Sequence, residues 1–302
     1  MDISVLIASY NGEKTLPITL QSFVDADTKG LDWELLICLN NSTDNSEQVI
    51  DEYADKLPIK IFHEKLQGTS PSFNRLMDNC QGDLIAFTAD DVIVSPNWLK
   101  KGISLTKEKP EYQVFGGRIK AYYGEHEQPW LKDFEYDHVA YANTPAKFTY
   151  GEVGPGTIFG ACLIVRREII DTGIRYDVNI GPNGKNYIMG NETDYLTRVA
   201  AQGYKFWFNQ DFTLQHIIAK FQMEFSWLEK RAFRYGLSMY PKDLAKNFEG
   251  TKAVWGIPLW RINLFFQCWL KARLGSKQHP EYANYAWEVG YFKGYIKRRI
   301  GL

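Results

Sequence analysis

Leu84-Ile-Ala-Phe-Thr-Ala-Asp-Asp-Val-Ile-Val94 joins an apolar run to two adjacent carboxylates. Leu84 to Phe87 has the character of a buried strand, and Asp90 and Asp91 stand at its carboxyl end, ahead of the turn Ser95-Pro96-Asn97. Open α/β sheets take ligands in the crevice beyond the carboxyl ends of their strands. Two carboxylates there suit a hard divalent cation and the diphosphate it holds. A strand end with two solvated acids is the competing reading, and the flanking sequence has to decide between them.

Upstream, apolar runs alternate with helical spacings. Ile3-Ser-Val-Leu-Ile-Ala8 is a first buried strand, ending in the polar turn Ser9-Tyr-Asn-Gly12. Leu16, Leu20 and Phe23 recur at helical spacing in Thr15–Phe23. Trp33–Leu39 is a second strand, closed by Asn40-Asn-Ser-Thr-Asp44, and Ser46–Tyr53 is helical with Ser46 as its cap. Ile59–Phe62 is a third strand, and the short helix Ser72–Cys80 leads into Leu84. This alternation implies βαβ units and an α/β fold: a doubly wound, mostly parallel sheet with helices on both faces. The loops Ser9–Gly12, Leu39–Asp44, Glu64–Ser70 and Thr88–Asp91 then gather on one edge.

The 302 residues are 45% hydrophobic, 24% charged and 15% aromatic, enough for one large core or a core with an appendage. A net charge of -1 conceals an uneven split: residues 1–217 hold 20 Lys+Arg against 30 Asp+Glu, and residues 218–302 hold 15 against 6. Such a basic tail suits an acidic partner, a membrane surface or a polyanion. No nucleic-acid-binding motif accompanies it, so nucleic acid is not an expected partner. Cys38, Cys80, Cys162 and Cys268 lie far apart without metal-ligand spacing, which argues against zinc. The chain opens on a strand rather than a signal-peptide pattern, and it has no apolar stretch of about 18 residues. The expectation is a reducing, cytoplasmic setting.

ISVLIASYNGEKTL, WELLICLNNSTDNS and GDLIAFTADDVIVSPNWL, followed in order by GACLIVRREIIDTG, GNETDYLTRVAAQGY and His216, resemble the GT-A fold glycosyltransferases of family 2 type, which are nucleotide-diphospho-sugar transferases. The resemblance runs from Ile3 to about His216 and continues weakly to Gly236. It implies a GT-A catalytic domain at 1–217, with 1–110 the nucleotide-binding half and 111–217 the acceptor half, and a basic, aromatic, helical C-terminal extension at 218–302. The GxGxxG dinucleotide fingerprint is absent, which weakens an NAD reading.

By this resemblance Ala8, Ser9, Tyr10 and Glu13 flank the base and ribose, with the Tyr10 ring a stacking face and Glu13 an acceptor for ribose hydroxyls. The second loop departs from the family, which begins it with a base-reading Asp: Leu39 takes that position, and Asn40 and Asn41 follow, whose amides both donate and accept. Phe73 replaces the Arg of an Arg-Asn pair, leaving Asn74 near the donor and Arg75 after it. In the metal strand Ala89 stands where the family has its first acid. Asp91 matches the acid used most directly on the metal, and Asp90 is assigned to sugar or ribose hydroxyls. Mn2+ or Mg2+ held by one carboxylate and substrate phosphates suits ions that keep several waters. Asp25-Ala-Asp27 matches Asp-x-Asp literally but follows a helix, and is taken as turn acids.

Gly160, in the glycine-rich run Gly154–Val165, is placed under the donor sugar; no Lys-Ser/Thr pair ends the run, so it is not a P-loop. Gly190-Asn-Glu-Thr-Asp194 aligns with Glu-Asp-x-Asp/Glu, with Asn191 for the Glu and Glu192 for the Asp. An inverting transfer needs one base for the acceptor proton. Glu192 and, after it, Asp194 are the candidates, although acids at a helix start also offset its dipole. His216 matches a histidine that joins metal and diphosphate.

Residues 111–150 are rich in aromatics, among them Tyr122, Tyr123, Trp130, Phe134, Tyr136, Tyr141 and Tyr150, either acceptor-side faces or core. From Trp255 onward the chain is helical in pattern, with Leu259, Ile262, Phe265, Phe266, Trp269 and Leu270 making a wide apolar side that Arg261, Asn263 and Gln267 interrupt. A second helical piece ends in Lys297-Arg-Arg299. Residues 251–302 are assigned to a peripheral contact with the inner face of a membrane, or to packing or homodimerisation. The sum is a metal-dependent inverting glycosyltransferase, moving sugar from a nucleotide-diphosphate sugar to a saccharide or lipid-linked acceptor in surface polysaccharide assembly. A nucleotidyltransferase or a non-catalytic sugar-nucleotide-binding relative are its rivals.

Overall fold

Side chains along Ile3–Ser9, the first strand (β1), alternate between two buried faces, and this period of two sets the layers. The computed structural model describes residues 1–184, 187–245, 252–254 and 257–300; Trp255 lies outside them. The remaining strands of the central sheet are β2 (Trp33–Leu39), β3 (Ile59–His63), β4 (Leu84–Ala89), β5 (Val92–Val94), β6 (Val114–Tyr122), β7 (Tyr150–Glu152), β8 (Leu163–Arg166) and β9 (Phe206–Ile217). Their order is β3-β2-β1-β4-β8-β6-β9-β5, with β7 also on β9.

The first four pair in parallel. β8 enters antiparallel to both β4 and β6, because the chain reaches it through loop turns rather than over a helix. β6 and β9 run parallel again, while β5 and β7 run against β9. The sheet is mostly parallel, as the alternation implies, with β8 as its internal reversal.

Both faces are covered. Ile3, Val5, Ile7, Leu35, Ile37, Leu84 and Ala86 pack with Leu16, Leu20 and Phe23 of α1 (Leu16–Val24) and Trp98, Leu99 and Ile103 of a helix at Trp98–Glu108. Leu6, Leu36, Cys38, Ile85 and Phe87 pack with Phe73, Leu76 and Met77 of a helix at Thr69–Met77, and with Tyr195, Leu196 and Val199 of one at Asn191–Ala201. In chain order the helices after α1 are α2 (Ser46–Asp51), α3 (Thr69–Met77), α4 (Trp98–Glu108), α5 (Asp137–Ala140), α6 (Arg167–Asp171), α7 (Asn191–Ala201), α8 (Phe225–Ala245), α9 (Leu259–Leu274) and α10 (Tyr282–Ile300). Asn45, not Ser46, stands at the N-cap of α2, because the Ser46 hydroxyl is engaged elsewhere. All four cysteines are buried free thiols, and burial pushes Cys38 up to about 11 and Cys162 up to about 12.

The amino ends of the parallel strands form a closed edge. Glu34, buried, accepts from Ser4 Oγ at 2.6 Å, the Gln81 N–H at 2.7 Å and Lys60 Nζ at 2.7 Å. Arg166 donates to the Tyr112 and Thr106 carbonyls, and Arg167 to those of Gly82 and Cys80. Charged donors to carbonyls are among the stronger hydrogen bonds, and here they fasten loops.

The chain divides into two compact units. The first holds residues 1–122, 142–184 and 190–217; residues 123–141, 187–189 and 218–300 belong to the second. In the second, Tyr136 stacks on Trp287 with centroids 5.3 Å apart and its hydroxyl donates to Glu288. Tyr141 stacks on Trp227 at 5.8 Å and donates to the Gln222 carbonyl. The Gly290-Tyr-Phe-Lys-Gly294 stretch of α10 faces α8: a Cβ on Gly290 would lie 2.2 Å from the Glu229 carbonyl oxygen, and one on Gly294 1.9 Å from that of Phe233. Residue numbers rise together along the contact, so α8 and α10 are parallel and backbone meets backbone. Gly294→Ala is expected to force the helices apart and cost about 1–3 kcal/mol, the usual range for overpacking. Gly154→Ala, with nothing within 4 Å of its Cβ position, should be neutral. Thermal unfolding of the two variants checks the contrast.

Candidate functional site

β4 delivers Asp90 and Asp91 to the carboxyl edge, and β5 turns away from it. Two hydroxyls of α1 hold that turn. Thr19 Oγ1 donates to the Asp90 carbonyl and accepts the Val92 N–H, both at 3.0 Å, and Ser22 Oγ accepts the Val94 N–H at 3.1 Å. On its other side β5 pairs with β9, bringing Val92 opposite His216. His216 Nε2 and Asp91 Oδ2 come to 3.2 Å.

Asp90 turns the other way. Ser9 Oγ, at the end of β1, donates to Asp90 Oδ2 at 2.5 Å. A Cβ on Gly12 would lie 2.6 Å from Ser9 Oγ and 2.7 Å from Asp90 Oδ2, so only glycine lets the loop pass this close. Burial first, and the charge of Asp91 second, push the Asp90 carboxyl up to about 7, against the pull of its hydrogen bonds from Ser9 and Tyr10.

The first two edge loops are laced together. Ser46 Oγ accepts the Gly12 N–H at 2.8 Å, Asp44 Oδ2 accepts the Glu13 N–H at 3.0 Å, and Ser42 Oγ accepts the Asn11 N–H at 3.0 Å. The Glu13 carboxylate accepts from Asn45 Nδ2 at 2.9 Å. Tyr10 is 56% exposed, its ring open to a stacking partner, while Ala8 is half-buried beneath it in sequence. Asn40 is buried: Nδ2 donates to the Glu64 and Leu66 carbonyls, and Oδ1 accepts from the Gly68 N–H and Gln67 Nε2. Both ends of its amide therefore shape the loop after β3. Asn41 Nδ2 donates to the Lys65 carbonyl at 3.0 Å, and Arg75 reaches Glu64 at 4.0 Å. Leu39, Asn41, Ser42, Asp44, His63 and Glu64 border a cavity of about 190 Å³ between these loops. Asn74 exchanges hydrogen bonds with the Tyr176 backbone, its Nδ2 donating to the carbonyl at 2.9 Å and its Oδ1 accepting the N–H at 2.8 Å.

Gly160 stands three residues before Leu163, which pairs with Phe87, and so lies at the same edge as the acids. A Cβ on Gly160 would meet the Glu192 side chain at 3.5 Å, which places Glu192 beside it. The two acids of α7 differ in engagement. Asp194 Oδ2 accepts from Arg198 Nη2 at 2.7 Å and Nε at 3.0 Å. Glu192 carries no hydrogen bond or ion pair among the described residues. Exposed Asp27 pairs with Lys100 at 2.6 Å and Asp25 accepts from Gln21, both in the turn after α1.

The sequence reading passed over Thr19 and Ser22; their only trace is two hydroxyls three apart on the buried side of α1. Because Asp90 holds its proton more tightly folded than unfolded, it supports the fold fully below about pH 4 and withdraws that support as pH rises through 7. In metal-free protein Asp90→Asn is expected to gain stability over the parent on going from pH 5 to pH 8, by about 1–3 kcal/mol. Urea unfolding at both values reads this; a gain equal at both would contradict it.

Known proteins resemble this chain in sequence and in fold. A family model described as Glycosyl transferase family 2 matches residues 4–173. The succinoglycan biosynthesis protein ExoM of Rhizobium meliloti is 24% identical over 74% of this chain and 69% of its own. The glucosyl-dolichyl phosphate glucuronosyltransferase of Haloferax volcanii is 22% identical over 81% of this chain and 78% of its own. Among solved structures, the mannosyltransferase PcManGT of Pyrobaculum calidifontis, in complex with GDP-Man and Mn2+, superposes with a TM-score of 0.64 at 13% identity, covering 98% of this chain and 86% of that one. The family model spans more than half the residues, including the strand and turn that carry Asp90 and Asp91, and the chain belongs to glycosyltransferase family 2, as a nucleotide-sugar glycosyltransferase.

Proposed function

We propose that the chain is an inverting, metal-assisted glycosyltransferase that carries sugar from a nucleoside-diphosphate donor to a saccharide or lipid-linked saccharide in surface polysaccharide or glycoconjugate assembly. The observation that carries this reading is the Asp91–His216 pair at the carboxyl edge, with Glu192 unpaired on the same edge. Among the described residues no cluster of three His, Cys, Asp or Glu forms. One carboxylate and one imidazole 3.2 Å apart still fit Mn2+ or Mg2+ if diphosphate oxygens and water complete the shell. Such a cation, when bound, supplies Lewis-acid neutralisation of the departing diphosphate.

The other roles belong to the chain. Tyr10 offers its ring to the base, and Ala8, Ser9 and Asn41 line the nucleotide's path. Asn40 and Asn74 hold the loops on either side in place, and Glu13 braces Asn45. Asp90 presents its carboxyl to donor hydroxyls from its bond to Ser9. Glu192, beside Gly160, takes the acceptor hydroxyl proton, while Asp194 is a positioning residue through Arg198. Residues 111–217 outside these loops form the acceptor side. The reaction is assigned to the cytoplasm, with residues 251–302 against the inner face of a membrane rather than in a homodimer. The polysaccharide in one relative's name and the lipid-linked sugar in the other's support this acceptor class.

A thermal-shift panel of UDP-, GDP- and TDP-sugars, with and without Mn2+, tests the reading. One donor class should stabilise the protein, and Asp91→Ala should abolish that shift. Glu192→Gln should keep the shift and lower kcat by about 10²–10⁴-fold, the usual contribution of a general base; Asp194→Asn should fall less. No shift with any donor, or full turnover by Glu192→Gln, would overturn the assignment.

A further inference from the structure

The helix α9 turns an unusual face outward. Its inner side is fixed within the second unit: Phe265 stacks on Phe292 at 4.5 Å, Cys268 is buried, and the Arg261 guanidinium lies 5.0 Å and 4.9 Å from the ring centroids of Tyr291 and Tyr295. At about 100° per residue, Leu259, Phe266, Leu270 and Leu274 then share an outward arc of about 80°. They are exposed, Phe266 by 58%, Leu270 by 50% and Leu274 by 75%. Trp260 and Trp269, also exposed, flank the stripe. An apolar seam of this length left open on a soluble surface marks an interaction site.

We infer that this face docks on an anionic lipid bilayer, lying in the headgroup region without crossing it. Charge selects the partner. The stretch Leu259–Leu274 contains no Asp or Glu; Arg261 is spent inward on Tyr291 and Tyr295, and the exposed cations are Lys271 and Arg273, with Lys277 just beyond. A two-fold pairing of the face with a second copy would set these cations against the same stretch, which has no carboxylate to offer them. A negative lipid surface attracts all of them. The tryptophans at the margins suit the bilayer interface, and Asn263 and Gln267 on the outward side stay within reach of headgroups and water. The 16 residues of α9 are about 24 Å long at 1.5 Å each, short of a hydrocarbon core of about 30 Å. No helix among the described residues is long and apolar enough to cross a membrane.

This inference names the surface behind the membrane placement proposed above and rests on that placement alone. Because vesicle binding is measured without donor sugar, its failure leaves the transfer chemistry standing. The experiment is flotation of the full chain with vesicles of phosphatidylcholine containing phosphatidylglycerol, against phosphatidylcholine alone. The parent should float with the anionic vesicles, stay behind with the neutral ones, and be released by high salt. The double variant Phe266→Glu, Leu270→Glu should bind at least tenfold more weakly while keeping the parent's melting temperature and donor-induced shift. Absence of parent flotation on anionic vesicles, or equal flotation of the variant, overturns the proposal. So does light scattering that shows a parent dimer which the double variant converts to monomer, since the face then belongs to a second copy.

Discussion

Carboxylates stand free at the end of a strand only where the neighbouring backbone has found its partners without them. In this protein the Thr19 hydroxyl meets that need. It receives the Val92 N–H and gives its own proton to the Asp90 carbonyl, so the chain can leave β4, turn, and run back as β5 with both of these groups paired. β9 occupies the far side of β5 and contributes His216. Two consecutive carboxylates thus point in different directions, Asp91 toward His216 and Asp90 toward Ser9.

The two ends of the sheet have been put to opposite uses. At the amino ends, Glu34, Arg166 and Arg167 consume their charge on backbone and on each other's loops, and little is left to bind anything. At the carboxyl ends, loops tie to loops through serine, asparagine and backbone groups. This leaves Asp91, Glu192 and the Tyr10 ring turned to the edge. Such polar lacing fixes geometry without neutralising the acids, as preorganised sites require.

The first four strands were legible because an apolar run is a local property, readable in a few residues. The reversal of β8 was not, since a strand looks the same in either direction. The edge acids could be named from their position after apolar runs, but their employment could not. Asn40 looks like a base reader until its amide is seen joined to the chain 24 to 28 residues later. The engagement of Asp194 was within reach, since Arg198 follows one helical turn on. In α9 the apolar positions were visible but the inward side was not, because Arg261 looks like a solvent residue. Three aromatic rings around its guanidinium, those of Trp260, Tyr291 and Tyr295, make an inward position tolerable.

The second unit's packing sets a timetable for biosynthesis. Tyr136 finds its partner Glu288 only after 152 further residues have been added. At about 5–20 residues per second that is a wait of roughly 8–30 seconds. The parallel strands β1 to β4 can pair during it, and Tyr141 can meet Trp227 once α8 emerges, but Tyr136 lacks the Trp287 ring until α10 does. Until then Phe134 and Tyr136 lack the Trp287 ring and leave apolar surface open on a nascent chain, the kind of segment that holdase chaperones shield.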